Sequence, residues 1–235
     1  MIWQRLVLAA FLASVGFNLW GALRDPHLLA LPAALAGWYL ADLLSGLVHM
    51  VMDYRPCPEG RGLAAIYFYE GRRGSPEYAA LHRATMQRVN AFERISYDFK
   101  NHHPRPDALG RRSVWRLIGS TVLVAALPLS LAGNAALLLW PVPGWALALL
   151  SAMLLGGGFA QYFHGTLHRR ENPWFINALR RIGLLMTPAA HQIHHDTLQR
   201  DFATNCGWSN PVINRLFAHL RARGRLDDAG LEPHS

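Results

Sequence analysis

Histidine is the residue type whose number and spacing in this chain most invite chemistry. Of its twelve histidines, eight fall into four groups: His49; His102 and His103; His164 and His168; and His191, His194 and His195. In His164-Gly-Thr-Leu-His168 the i and i+4 side chains share one helix face, so both imidazoles can reach one ion. In His191-Gln-Ile-His194-His195 the i, i+3 and i+4 positions lie nearly on one side. Three imidazoles this close would repel one another if protonated and would gain little as surface residues, which argues for a metal. Each remaining group has a plainer reading alone: His102-His103 as solvated loop, and His164 with His168 as interfacial residues beside Arg169-Arg170. Their joint presence is harder to dismiss. His27, His82, His219 and His234 lack such partners and are read as ordinary polar residues, His82 being the leading exception.

Imidazole suits zinc, copper, iron and nickel. Cys57 and Cys206 are too far apart in sequence to mark a structural zinc site, no HExxH is present for a zinc protease, and one zinc would be satisfied by three or four ligands. Eight nitrogen donors suggest two ions. Two iron ions at a membrane surface suggest activation of O2 toward a lipid C–H bond.

Two carboxylates join this pattern. Asp42, Ser45, Gly46, His49 and Asp53 line one helix face. Asp42 sits inside an apolar run, where a carboxylate costs about 2.5 to 3.5 kcal/mol on insertion scales, so it needs an interhelical hydrogen bond or a wet cavity beside the site. Asp53 lies one turn beyond His49 and either binds metal itself or orients an imidazole from behind, the second role being preferred.

The elements that must position these residues are membrane helices. The chain of 235 residues is 51% hydrophobic and 16% charged, which fits one domain and is too apolar for an ordinary soluble one. Four stretches can cross a bilayer: about Leu6 to Leu23, about Leu28 to Val51, and two helices within Leu117 to Phe163. The turn between the last two is expected at Pro141-Val142-Pro143-Gly144, with Gly133-Asn134 as the alternative. The first span is open to a second reading as a signal peptide, since Arg5 precedes an apolar run, although no clear cleavage site follows.

The formal charge of +8 is distributed as topology rather than as a nucleic-acid surface, and no nucleic-acid partner is expected. Basic residues crowd the segment from Arg55 to Arg112 and the tail from Arg169 to Arg225, whereas the two opposite connections hold only Arg24. Basic loops stay in the cytoplasm, so both termini and all eight clustered histidines are expected there. Arginine-rich, alanine-rich composition with Lys100 as the sole lysine suggests a bacterial inner membrane. The expected architecture is therefore all-α and multi-pass, about four transmembrane helices with a cytoplasmic histidine-rich metal-binding cap, forming one domain over residues 1–225. Pro76 to Ile95 reads as one amphipathic helix on the membrane surface, and residues 226–235 as a disordered tail.

These residues together resemble the membrane lipid desaturase family that includes the plasmanylethanolamine and chloroplast phosphatidylglycerol desaturases. The resemblance is carried by Ala41-Asp42-Leu-Leu-Ser45-Gly46-Leu-Val-His49 with Asp53, His102-His103-Pro-Arg-Pro106, and Gln161-Tyr-Phe-His164 through His168. His191-Gln-Ile-His194-His195 and Asn205-Cys-Gly207-Trp208-Ser-Asn210 complete it. It implies a di-iron centre on the eight histidines, with Asp53, Asp42 and Asn205 as candidate catalytic residues. It also implies desaturation of a phospholipid with reduction of O2 to water, a cytochrome b5- or ferredoxin-like electron donor, and formation of the vinyl ether of a plasmalogen. The interval from Asp53 to His102 is longer than expected for the family, and Asn101 stands where an acidic residue commonly precedes the histidine pair. Hydroxylation of the lipid by the same oxidant is an alternative outcome. A haem anchor or metal transporter would need ligands deep in the spans, where this chain has mainly Asp42.

Overall fold

A computed structural model describes residues 2–234. It is all-helical among these residues, and the spans fall where the apolar runs predict. Helix α1 (Ile2–Arg24) and helix α2 (Ala30–Tyr54) are joined by a short turn. Short helices α3 (Leu63–Tyr67), α4 (Pro76–Met86), α5 (Ala91–His102) and α6 (Pro106–Gly110) follow. The third span, Val114–Leu139, comprises α7 (Val114–Thr121), one π-helical stretch at Val122–Ala126 and α8 (Leu127–Leu139). The chain then turns at Trp140–Pro143 into α9 (Gly144–Gly158), which continues after a 49° bend as α10 (Ala160–Leu167). Helices α11 (Trp174–Arg181), α12 (Pro188–Thr197) and α13 (Asn210–Ala222) complete the cap. The turn therefore lies at the proline pair; Gly133 and Asn134 are inside α8.

Helix α2 packs along α9, and α1 packs on α9 and α8. Lipid tails are as apolar as leucine, so helices associate in a bilayer through close packing and polar contacts. Both are present. A Cβ on Gly37 of α2 would come within 2.1 Å of the Leu149 carbonyl oxygen on α9, so only glycine permits this approach. Ser14 and Asn18 of α1 bond to Ser130 and Asn134 of α8, with Ser14 Oγ 2.7 Å from Ser130 Oγ. Phe11 and Val15 of α1 are buried among Ile118, Val122 and Leu154, which makes α1 a structural member of the bundle. Outward-facing positions such as Leu31, Leu44, Val124 and Leu138 stay apolar and exposed, as lipid contact requires.

One local expectation is revised. Pro76 to Ile95 is not one helix, because Asn90 starts a new one: its side chain accepts from the Phe92 and Glu93 amides, while Glu93 accepts from the Asn90 amide. Leu81, Met86 and Val89 of this region pack on Leu63, Ile66 and Tyr97, so much of its apolar face is covered by protein. In the expected tail, residues 226–234 carry a short helical turn at Asp228–Gly230, and Ser235 lies outside the described residues. Leu226 and Leu231 pack with Met50, Tyr54 and Phe217, and Gly230 abuts the Tyr54 carbonyl.

Candidate metal centre

The ends of α2, α5, α10 and α12 meet on one side of the bundle. Helix α2 delivers His49 and Asp53, and α5 delivers His102 followed by His103. Helix α10 delivers His164 followed by His168, and α12 delivers His191, His194 and His195. Helix α12 begins where its sequence says it should, with Thr187 Oγ1 accepting from the Ala190 amide and Pro188 in the first turn. It stops at Leu198, which adopts a left-handed conformation, φ 55°.

The eight histidines and Asp53 form two abutting groups. In the first, His102, His164, His168, His191 and His195 each offer a ligand atom, all within 4.8 Å of one another. Within it, His191 Nε2 lies 3.1 Å from His164 Nε2 and 3.2 Å from His195 Nε2. The second group is His49, Asp53, His103 and His194. Here Asp53 Oδ2 is 3.3 Å from the Nε2 of His49 and of His194, and Asp53 Oδ1 is 3.4 Å from His103 Nε2. The His49 and His164 ring centroids are 4.9 Å apart, and those of His102 and His103 4.3 Å, so the groups share a wall.

Backbone carbonyls fix the tautomers. His49 Nδ1 and His194 Nδ1 each lie 2.9 Å from a carbonyl oxygen, Phe202 and Arg200 respectively, and His102 Nδ1 contacts that of Phe99. A carbonyl can only accept, so each Nδ1 donates its proton and each ring aims its Nε2 inward, the orientation that metal-bound histidines use. His49 Nε2, His102 Nε2, His168 Nε2 and both Asp53 oxygens are buried without a hydrogen-bond partner among the described residues. Converging lone pairs in a dry interior repel unless a cation lies between them. The donor set therefore fits metal ions, and both Asp53 oxygens face the same space as the Nε2 atoms of His49, His103 and His194.

Burial also disfavours the charged form of five of these rings. It holds His102 and His191 well below the ordinary imidazole range, with the neighbouring histidines adding to the effect. Burial lowers His103 to about 2, His168 to about 3 and His195 to about 4.

Asp42 and Asn205, the other two candidate catalytic residues, lie outside both groups. Asp42 accepts from the Cys206, Gly207 and Ser209 amides and from Ser209 Oγ, at 2.7 to 3.0 Å. These donors satisfy the buried carboxylate, and through them Asp42 pins the loop that leads into α13. Asn205 Nδ2 donates to the Gly156 carbonyl at 3.1 Å, tying that loop to α9. His82 sits apart on α4 near Tyr78, and His27, His219 and His234 are likewise outside the centre.

Lys100 was not singled out by spacing. It is fully buried, and Nζ donates to the carbonyls of Met52 at 2.9 Å and Asp53 at 2.5 Å, capping α2 with a cation. Burial lowers it to about 8. Its standing as the sole lysine was the available signal.

A cleft of about 370 Å³ reaches two members of the first group, His102 and His164. Val48, Met52, Phe99 and Leu117 supply apolar walls, and Asp98, Arg112 and Arg116 also line it.

A membrane helix bundle whose buried imidazoles face an apolar cleft defines a class, and residues 90–222, more than half of the chain, match the lipid desaturase domain family. The chain belongs to that family and is a membrane lipid desaturase, an oxidoreductase. Over 229 residues it is 26% identical to the plasmanylethanolamine desaturase of Myxococcus xanthus, covering 92% of this chain and 70% of that protein. No solved structure matches it.

Proposed function

We propose that this chain is an oxygen-dependent di-iron desaturase that converts the alkyl ether of a plasmanylethanolamine-type phospholipid to a vinyl ether. The observation that carries the reading is the pair of abutting ligand groups, with two of their imidazoles open to an apolar cleft. His102, His164, His168, His191 and His195 would hold one iron, and His49, Asp53, His103 and His194 the other. The similarity to plasmanylethanolamine desaturase supports the substrate class.

The overall reaction balances as R–CH2–CH2–R′ + O2 + 2 e⁻ + 2 H⁺ → R–CH=CH–R′ + 2 H2O. The bound irons supply O2 activation. The chain's own residues do the rest: carbonyl-held imidazoles fix the donors, and Phe99 and Leu117 wall the cleft against water. The two electrons come from an acidic cytochrome b5- or ferredoxin-like donor on the basic cytoplasmic face, where arginine-rich loops also hold both termini.

Expression in a bacterial host lacking plasmalogens tests the reading. Lipid extracts should gain acid-labile vinyl ethers, two mass units below the parent ether lipid. A gain of oxygen in place of the loss of two hydrogens makes the chain a hydroxylase, and no modified lipid at all removes the proposal.

A further inference from the structure

The cleft has a polar end that neither the metal groups nor the apolar walls require. Asp98 of α5 holds Arg112 in a bidentate pair, with Nη1 3.0 Å from Oδ2 and Nη2 2.8 Å from Oδ1, and both side chains are partly exposed. Arg116, on the first turn of α7, is exposed and has no carboxylate partner among the described residues. The mouth thus presents two guanidinium groups and one carboxylate beside an apolar slot.

The loop that carries Arg112 is fixed to the metal centre. Arg169 donates through Nε to the Gly110 carbonyl at 2.8 Å and through Nη2 to the Arg112 carbonyl at 3.3 Å. A Cβ on Gly110 would lie 2.6 Å from the carbonyl oxygen of His168, so this loop rests directly on the backbone of a clustered histidine. A group bound by Arg112 and Arg116 is therefore held at a set position relative to that cluster.

We infer that Asp98, Arg112 and Arg116 form a reader for a phosphoethanolamine headgroup. Arg116, with Arg112, takes the phosphate, because a planar guanidinium matches phosphate oxygens in number and geometry. Asp98 accepts from the primary ammonium. The arrangement rejects two relatives for different reasons: a phosphoglycerol headgroup brings no cation for Asp98, and a quaternary phosphocholine ammonium has no N–H to donate to it. This inference rests on the reading that the cleft holds a phospholipid, and it adds which residues select the headgroup.

The test measures binding without turnover. Purified full-length chain, loaded with iron and kept anaerobic, is mixed with equal amounts of 1-alkyl-2-acyl phosphoethanolamine, phosphocholine and phosphoglycerol lipids, and the bound lipids are counted by native mass spectrometry. Arg116→Gln should weaken phosphoethanolamine binding about tenfold, the loss of roughly one charged contact. Arg111→Gln removes an arginine outside the cleft, and should change nothing. Asp98→Asn should shift the phosphoethanolamine to phosphoglycerol ratio about tenfold toward phosphoglycerol. Asp98→Glu, which keeps the charge, should preserve the preference, and Asp98→Ser, which removes the charge, should show the same shift toward phosphoglycerol and is read in place of Asp98→Asn if that variant fails to fold.

An unchanged ratio in Asp98→Asn, or Arg116→Gln behaving like Arg111→Gln, overturns the inference. Because binding is read apart from catalysis, the predicted pattern in a chain that makes no vinyl ether would count against the desaturase reading alone. A chain that desaturates without this headgroup preference would count against the inference alone.

Discussion

Asp53 Oδ2 stands 3.3 Å from His194 Nε2, both side chains fully buried, and His194 Nδ1 is committed to the Arg200 carbonyl, which aims Nε2 at the carboxylate. A carboxylate oxygen and an imidazole Nε2 are thus held face to face in a dry site, where a metal cation would bind both. Asp53→Asn preserves size and removes the charge. It should lower desaturation by about 100-fold or more and release metal from its group, since even residues behind the ligands cost about 10 to 100-fold. Metal analysis of the purified variant checks this, and full occupancy with full activity would return Asp53 to a supporting role.

Lys100→Met should destabilise the fold without removing any ligand. Two buried carbonyls at the end of α2 would lose their donor. At about 1 to 3 kcal/mol for each buried group left unsatisfied, the melting temperature in detergent should fall clearly. An unaltered melting curve would mean that Lys100 contributes little to holding the end of α2.

Asp42→Ala should act on the loop and not on the centre. Four donors lose one carboxylate, and a cost of about 3 kcal/mol or more is expected. Thermal stability and accumulation should fall while protein that does fold keeps its metal. Loss of metal at an unchanged melting temperature would instead place Asp42 in the site's chemistry.

Acid sensitivity of the metal-stripped chain follows from the depressed histidines. His103, His168 and His195 titrate at about 2, 3 and 4 when folded, against 6.5 for an ordinary imidazole. Between those values the unfolded chain binds more protons than the folded one, so stability falls as pH falls. It should be level above about pH 7 and decline from about pH 6.5 downward, each such group contributing about 1.4 kcal/mol per pH unit inside its window. Chemical denaturation from pH 8 to pH 5 in detergent measures the slope. A flat profile would mean that the rings are solvated and do not converge.

The membrane architecture was readable because apolar runs and a proline pair report directly on span length and turn position. Histidine spacing likewise grouped the eight imidazoles that the structure brings together. Other features had no periodic signature. The division of residues 76–102 into α4 and α5 depends on a local exchange of hydrogen bonds between Asn90 and Glu93, which competes with an amphipathic pattern that runs through both. The acceptors that orient His49 and His194 are carbonyls of Phe202 and Arg200, and a carbonyl carries no residue identity. Asp201, at φ 61°, lies between those two carbonyls and is held by Asn214, a long-range contact that sequence spacing does not announce. Asp42 was legible as a buried carboxylate in need of a partner. That its partners are backbone amides 164 to 167 positions away could only come from the fold.

In the proposed function the eight histidines and Asp53 enclose two iron ions. Iron content and Mössbauer spectra of the purified chain test it most directly, compared with His194→Ala and His191→Ala. The account predicts two irons per chain in coupled, nitrogen-rich sites, with His194→Ala and His191→Ala each disturbing the group to which it belongs. A single zinc, or two irons retained intact in both variants, would contradict it.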